Sequence, residues 1–177
     1  MPLIQTQTLE NATGDVAEIY KQMQQAWGNV PNGFAIFSAS PLWLKQQWEY
    51  VGYYMQHPTL SFPLLAVVRM LVSAGQKCDY CIDMNAGMLM DMAGWTPEQV
   101  AATRANVNDA PFTEREKALM RLVLKAVRDP LAVTALDLED LRVQGWSDQE
   151  ILDAVNHGAR QVASDIVFNA FKVERDI

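Results

Sequence analysis

Two cysteines are the residues in this sequence whose type and spacing best suit chemistry. Cys78 and Cys81 are the only cysteines of the chain, and two residues separate them. On a helix this spacing places both side chains on one face about a turn apart, so their sulfur atoms can join. The helix dipole favours a thiolate near a helix N-terminus. Lys77 adds to this effect, whereas Asp79 and Asp83 oppose it.

The pair allows three interpretations. A dithiol that cycles to a disulfide is favoured, because one sulfur can attack while the other resolves the mixed disulfide. A zinc site is less favoured, because it needs four ligands and the chain adds only His57 and His157. Inert cysteines in the core are the remaining interpretation, which is favoured over the zinc site but less than the redox pair. We expect no bound cofactor, since a dithiol donor would supply electrons by thiol exchange.

Other polar residues lie near the pair or on helices that could reach it. Asn85 shares the helical stripe of the cysteines, where its amide could donate to a thiolate at Cys81 or pair inside a helical hairpin. Tyr80 is interpreted as a packing residue. His157 lies opposite an apolar stripe of the last helix and is expected to face solvent or a subunit contact. Asn169 lies on that stripe and is expected to be buried and paired; the stripe is Ile151, Val155, Ala159, Val162 and Ile166.

The elements that position these residues are predicted to be helices throughout. We find no sustained alternation of apolar and polar residues and no strand-turn-strand pattern. Helices are expected near residues 15–26, 41–56, 62–75, 78–93, 97–105, 114–128, 135–144 and 148–174.

Local sequence signals mark the ends of these helices. Thr113 to Glu116 is a capping box, Thr134 to Asp137 is a weaker one, and Ser40-Pro41 is a cap followed by a first-turn proline. The segments 94–99 and 145–150 share the order Gly, Trp, hydroxyl residue, and then an acid or amide at the third helical position. Two explanations account equally well for this repeated pattern: independent use of a common capping motif, and internal duplication.

The segment from Leu42 to Met55 carries apolar side chains around most of a helical wheel. A helix that is apolar on nearly all sides must be buried on nearly all sides. We therefore expect a homo-oligomer with this helix at the subunit contact. A central core helix within one subunit is the alternative.

Composition excludes several classes of function. The net charge of −7 and the lack of a long basic run argue against binding to nucleic acid or to anionic membrane surfaces. The longest apolar run, 62–68, is shorter than the ~20 residues that span a bilayer. The first 15 residues lack the features of a signal peptide. These observations predict a soluble, cytoplasmic protein.

The segment from Arg69 to Ala86, which contains the cysteine pair, resembles the signature of the AhpD-like alkylhydroperoxidases within the carboxymuconolactone decarboxylase family. Ser40-Pro41, the 112–117 helix start and the 145–151 hairpin resemble the longer, peroxidase-related members. The likeness covers about residues 30 to 174.

This resemblance implies an all-α, AhpD-like helical bundle of about eight helices with antiparallel hairpins. It also implies a single domain over 1–177, with a family core at about 41–128 and a C-terminal hairpin at 134–174. A dimer or a ring of dimers is expected. By resemblance, Cys81 attacks the peroxide and Cys78 resolves the intermediate. The expected partner is a small hydroperoxide or a dithiol or disulfide.

The sequence departs from the family at the proton relay. The family places a His four residues after the second cysteine and a Glu twelve before the first, where this chain has Asn85 and Ala66. Neither side chain can relay a proton. A non-catalytic or weakly active member is therefore one alternative to the redox enzyme. The decarboxylase or lactone-processing branch is another, although it uses no cysteine pair.

Overall fold

A computed structural model describes residues 2–176 of the chain, and within that range it contains α-helices, three short 3-10 turns and no strand. The all-α prediction is confirmed. The helices are α1 (Gly14–Trp27), α2 (Asn32–Ala35), α3 (Pro41–Met55), α4 (Phe62–Gln76), α5 (Asp79–Ala93), α6 (Pro97–Ala105), α7 (Glu114–Arg128), α8 (Ala135–Val143) and α9 (Asp148–Phe171).

The described helices agree with the predicted ranges apart from two differences. The single-turn helix α2, which continues into a 3-10 turn at Ile36–Ala39, was not expected. A segment this short carries too few residues to show a helical period. The last helix ends at Phe171 rather than at residue 174.

The chain divides into two compact units. The first comprises the described residues up to His57 together with those from Val167 onward. Its core is formed by one face of α1 and by Leu44 of α3. Three aromatic rings pack edge to face or tilted beside this core, and they belong to Trp27, Phe34 and Trp48.

The second unit runs from Pro58 to Ile166 and is centred on α4. Ser61 caps this helix by accepting from the Leu64 N–H, and Pro63 lies in its first turn. Helix α4 packs against α5 and α7. It buries residues around most of its circumference, which are Leu64, Leu65, Ala66, Val67, Val68, Met70, Val72 and Ser73.

The predicted helix caps are mostly confirmed. Thr113 and Thr134 each form a complete capping box, and Gly94 and Gly145 adopt the left-handed conformation with φ of 70° and 88°. Ser40 is the exception, because it precedes α3 without accepting a side-chain hydrogen bond. Local sequence therefore determines most helix boundaries in this chain.

The predicted apolar stripe of α9 is buried at Ile151 but not along its length. Ala159 and Asn169 are exposed and Ile166 is 58% exposed, whereas His157 is only 2% exposed. The face that packs inward instead carries Ile151, Ala154, His157, Gly158, Gln161, Asp165 and Phe168. Small residues permit close helix approach on this face, and its polar side chains pair with neighbouring helices.

No helix in the described residues combines the length and hydropathy needed to cross a membrane.

Candidate functional site

The two cysteines meet at the junction between α4 and α5. Lys77 ends α4 in a left-handed conformation with φ of 56°, Cys78 is the N-cap of α5, and Cys81 lies in the first turn of that helix. The Sγ atoms are 2.8 Å apart, and both cysteines are free thiols. Both side chains are 0% exposed. The predicted proximity of the sulfurs is therefore present in a fully buried setting.

Each of the two thiols influences the ionisation of the other. The hydrogen bond between the two thiols lowers the pKa of Cys78. The same bond, together with burial, raises the pKa of Cys81 far above its ordinary value. The N-cap position acts in the same direction, because the first-turn amides of α5 favour negative charge at Cys78.

A buried acid from α9 lies beside the pair. A carboxylate oxygen of Asp165 and the sulfurs of Cys78 and Cys81 all lie within 4.8 Å of one another. Asp165 Oδ1 accepts hydrogen bonds of 2.8 Å from Ser73 Oγ and from Gln161 Nε2. Burial raises the pKa of Asp165, and the hydrogen bonds oppose that effect only in part.

Asn85 occupies the other side of Cys81. Its Nδ2 donates to the Cys81 carbonyl at 2.8 Å, and its Oδ1 accepts from Arg69 Nε at 2.7 Å. Arg69 Nη1 lies 3.2 Å from His157 Nε2, which accepts this bond when the imidazole is neutral. Asn85 therefore links the cysteine helix to a polar cluster, as a buried amide must when it pairs with neighbouring groups.

The other predicted positions lie elsewhere. Ala66 is fully buried in α4 and can relay no proton. His57 belongs to the first unit, where its ring stacks on Tyr54. His157 was predicted to face solvent or a subunit contact, and this is wrong because the residue belongs to the packed face of α9.

The site offers few side chains that could bind a metal ion. In the described residues the site offers the two sulfurs and one carboxylate, whereas a closed zinc site takes four protein ligands. The donor set therefore falls short of a structural zinc site. Thiol chemistry makes better use of two sulfurs at bonding range.

Sequence reasoning missed Asp165, Gln161, Ser73 and Arg69 as neighbours of the pair. A signal for the first two was present: His157, Gln161 and Asp165 recur every four residues. This spacing places them on one helix face, interleaved with the small residues Ala154 and Gly158. For Arg69, the signal was a lone charge inside the most apolar helix.

The region around this site matches the sequence model of a known protein family. The sequence model of the carboxymuconolactone decarboxylase family matches residues 41–125, which include both cysteines. No curated protein sequence is similar enough to count as a relative.

Solved structures extend the likeness to nearly the whole chain. An AhpD-core, peroxidase-related protein from Ralstonia eutropha has a TM-score of 0.87 at 20% identity, covering 99% of this chain and 92% of its own. A peroxidase-related protein from Silicibacter sp. has a TM-score of 0.85 at 20% identity, with the same coverage of 99% and 92%. The fold of this chain is thus AhpD-like.

A similar structure with a different described activity is also known. A cysteine-to-alanine variant of the debrominase Bmp8, in complex with 2,3,4-tribromopyrrole, has a TM-score of 0.79 at 14% identity. The match covers 98% of this chain and 91% of the debrominase chain. The shared scaffold therefore occurs in proteins described with different chemistry, and function must be argued from the site.

Proposed function

We propose that this chain is a thiol-disulfide oxidoreductase in which Cys78 and Cys81 cycle between dithiol and disulfide. The oxidising substrate is a small hydroperoxide or a partner's disulfide, and a dithiol donor restores the reduced pair by exchange. The observation that supports this proposal is the 2.8 Å separation of the two free sulfurs at the start of α5. A disulfide needs its sulfurs at about 2.0 Å, so a small movement suffices to form it.

The proposal includes an order for the two cysteines. The family resemblance implies attack by Cys81, but Cys78 is the N-cap of α5, where the first-turn amides favour negative charge. We therefore take Cys78 as the attacking thiolate and Cys81 as the resolving thiol. Attack on a hydroperoxide leaves a sulfenic acid on Cys78 and releases an alcohol. Cys81 then displaces water from that sulfenic acid and forms the disulfide.

Burial of the pair means that a reactant must be admitted by local opening. The turn at Lys77 and Cys78 is the point where this opening is expected, because it joins two helices through a left-handed non-glycine residue. Such a conformation is less favourable for a lysine than for a glycine. Short-lived opening of a loop of this kind is common in folded proteins.

Thiol counting tests the redox proposal. The two thiols of the reduced protein should fall to none after one equivalent of hydrogen peroxide or cumene hydroperoxide, and dithiothreitol should restore them. Cys78→Ser and Cys81→Ser should each abolish disulfide formation within the chain. Ser40→Ala is the control, because Ser40 makes no side-chain cap. Thiols that resist every oxidant in folded protein would contradict the proposal.

The order of the cysteines has a separate test. Cys81→Ser should accumulate a sulfenic acid on Cys78 that a dimedone probe captures after peroxide treatment. Cys78→Ser should react much more slowly, because Cys81 is fully buried and burial disfavours a thiolate. The reverse result would restore the order that the family resemblance implies.

A bromopyrrole is a second substrate class, suggested by the structural likeness to the debrominase. Replacing a C–Br bond by C–H needs two electrons, which a dithiol supplies when it becomes a disulfide. We expect hydroperoxide to oxidise the pair faster than 2,3,4-tribromopyrrole does. Bromide release coupled to thiol loss, without reaction with hydroperoxide, would favour the bromopyrrole instead.

A further inference from the structure

Asp165 is a buried acid whose carboxylate is held rigidly beside the cysteines. The residue is 0% exposed, and Oδ1 is fixed by Ser73 of α4 and by Gln161 one turn earlier in α9. Gln161 Nε2 also lies 3.1 Å from Ser73 Oγ, which closes a three-residue network. Both donors to Asp165 Oδ1 are uncharged, so the network orients the acid without an ion pair.

The second oxygen of this carboxylate is left for another role. Asp165 Oδ2 is buried and has no hydrogen-bond partner among the described residues. A buried acceptor without a donor is unfavourable, so its presence in a folded protein calls for an explanation. The thiols of Cys78 and Cys81 lie close to this carboxylate and influence its pKa.

A proton acceptor for the thiols is lacking at the positions that the family uses. Ala66 has no titratable group. Asn85 does not titrate near neutrality, and both ends of its amide are bonded to Arg69 and to the Cys81 carbonyl. Asp165 approaches the sulfurs from a different helix, α9, and is the carboxylate found beside them.

We propose that Asp165 is the proton acceptor and donor for the Cys78–Cys81 dithiol, and this inference rests on the redox function proposed above. Asp165 takes the proton of the Cys78 thiol, and the thiolate attacks the terminal oxygen of a hydroperoxide. The O–O bond breaks, and the leaving alkoxide receives the proton from Asp165 as an alcohol forms. Cys78 is thereby oxidised to a sulfenic acid.

The second half of the reaction uses the same carboxylate. Asp165 accepts the Cys81 proton, and the Cys81 thiolate attacks the sulfur of the Cys78 sulfenic acid. The S–O bond breaks, and the leaving hydroxide takes the proton from Asp165 to form water. In sum, a dithiol and a hydroperoxide become a disulfide, an alcohol and water.

The electrostatic setting supports this role. Burial raises the pKa of Asp165 towards the range of the thiols, which makes the carboxylate a stronger base than an exposed aspartate. Cys78 and Cys81 from α5 lie beside Asp165, and the packed helices also bring together Arg69 from α4 and His157 from α9 itself. Arg69 and His157 pair with each other on the Asn85 side of the site.

The pH dependence of disulfide formation in Asp165→Asn tests the inference. The variant keeps an oxygen that can accept from Ser73 and Gln161 but cannot take a proton. We expect it to react about 10²-fold more slowly with hydrogen peroxide at pH 7, with its rate profile displaced to higher pH. The difference from the natural chain should shrink near pH 9, where solvent base can deprotonate the thiols.

Matched variants separate this role from a structural one. Asp148→Asn replaces an exposed aspartate of the same helix and should leave the profile unchanged. Ser73→Ala should lower the rate of disulfide formation by less than Asp165→Asn does, with the same displacement of the rate profile to higher pH. If Asp165→Asn does not fold, the Ser73→Ala profile tests the inference in its place. A profile that stays in place or moves to lower pH would overturn the inference, because the carboxylate would then act only by repelling a thiolate. If the natural chain forms no disulfide at any pH, the redox function itself fails.

Discussion

At the scale of single residues, the site concentrates polar groups in a part of the chain where apolar packing is expected. Ser73, Asn85, His157, Gln161 and Asp165 are all buried. Hydrogen bonds on one side join Asp165 to Ser73 and Gln161, and on the other they join Asn85 to Arg69. Buried polar networks are tolerated when each member is paired, and Asp165 Oδ2 is the atom of this network that has no hydrogen-bond partner among the described residues.

The buried carboxyl of Asp165 should reduce stability as the pH rises. Because its pKa is raised, the folded state holds the proton more tightly than the unfolded chain does. Stability is therefore lost as pH rises from the unfolded pKa through the folded pKa. Asp165→Asn should become more stable than the natural chain over that range, by about 1.4 kcal/mol for each unit of pKa difference. Urea unfolding of reduced protein between pH 4 and 8 measures this gap.

A control for that experiment is Asp148→Asn. Arg142 lowers the pKa of Asp148, so this replacement should remove stability above the unfolded pKa rather than add it. The effect should be small and sensitive to salt, because the pair is exposed. The prediction for Asp165→Asn would be contradicted if its free energy of unfolding differed from that of the natural chain by the same amount at every pH.

At the scale of elements, α9 positions Asp165 through close packing at Gly158. A Cβ added to Gly158 would lie 2.5 Å from Val123 Cγ1 and 3.2 Å from Val127 Cγ2, both on α7. Atoms of packed branched side chains cannot yield easily at such distances. Gly158 therefore sets the distance between α7 and the helix that carries the acid.

Gly158→Ala should lower the free energy of unfolding by about 1–3 kcal/mol through overpacking. It should also slow disulfide formation, because α9 must shift and carry Asp165 with it. Gly87→Ala is the matched control in α5, where an added Cβ meets nothing within 4 Å. That change should raise stability by about 0.5–1 kcal/mol through helix propensity. Chemical denaturation measures the free energy of unfolding of both variants. Equal changes in the two variants would refute the packing argument.

At the scale of the whole molecule, α3 leaves large apolar side chains in contact with solvent. Leu42, Trp43 and Met55 are 63%, 57% and 60% exposed, although Leu44 of the same helix is fully buried. Exposed apolar residues grouped on one helix are typical of an association surface. The homo-oligomer that the sequence suggested stays a prediction, with this helix as its expected contact.

Replacing Leu42 and Trp43 by glutamate should weaken self-association. Burial of each side chain contributes at least about 1.5 kcal/mol, so the dissociation constant should rise by about 10²-fold. Sedimentation velocity across a concentration series measures this change. Lys45→Glu is the control, because Lys45 is a charged, exposed residue of the same helix. A natural chain that stays monomeric at all concentrations would contradict the prediction.

The helical architecture and the cysteine pair could be predicted because both depend on neighbours along the chain. Capping boxes at Thr113 and Thr134 and left-handed glycines at 94 and 145 act within a few residues of their own positions. The spacing of Cys78 and Cys81 likewise brings their sulfurs together within one helical turn. Predictions of this kind need no knowledge of packing.

The inward face of α9 could not be predicted in the same way. Apolar residues occur on both sides of that helix, so their pattern alone did not show which side is buried. The larger aliphatic residues suggested the side with Ile166, which proved to be exposed. His157 and Asp165 therefore lie inside the second unit, contrary to what the stripe suggested for His157.

Local sequence was enough to predict an all-α chain, most of its helix boundaries and a vicinal dithiol at the start of α5, because short-range hydrogen bonds and helical geometry specify those features. The position of Asp165 beside the pair follows instead from the packing of the helices. Asp165 and Cys78 are far apart along the chain, and their contact depends on how α4, α5 and α9 pack around Ser73 and Gly158. That packing depends on side-chain shape across several helices, which no local pattern encodes.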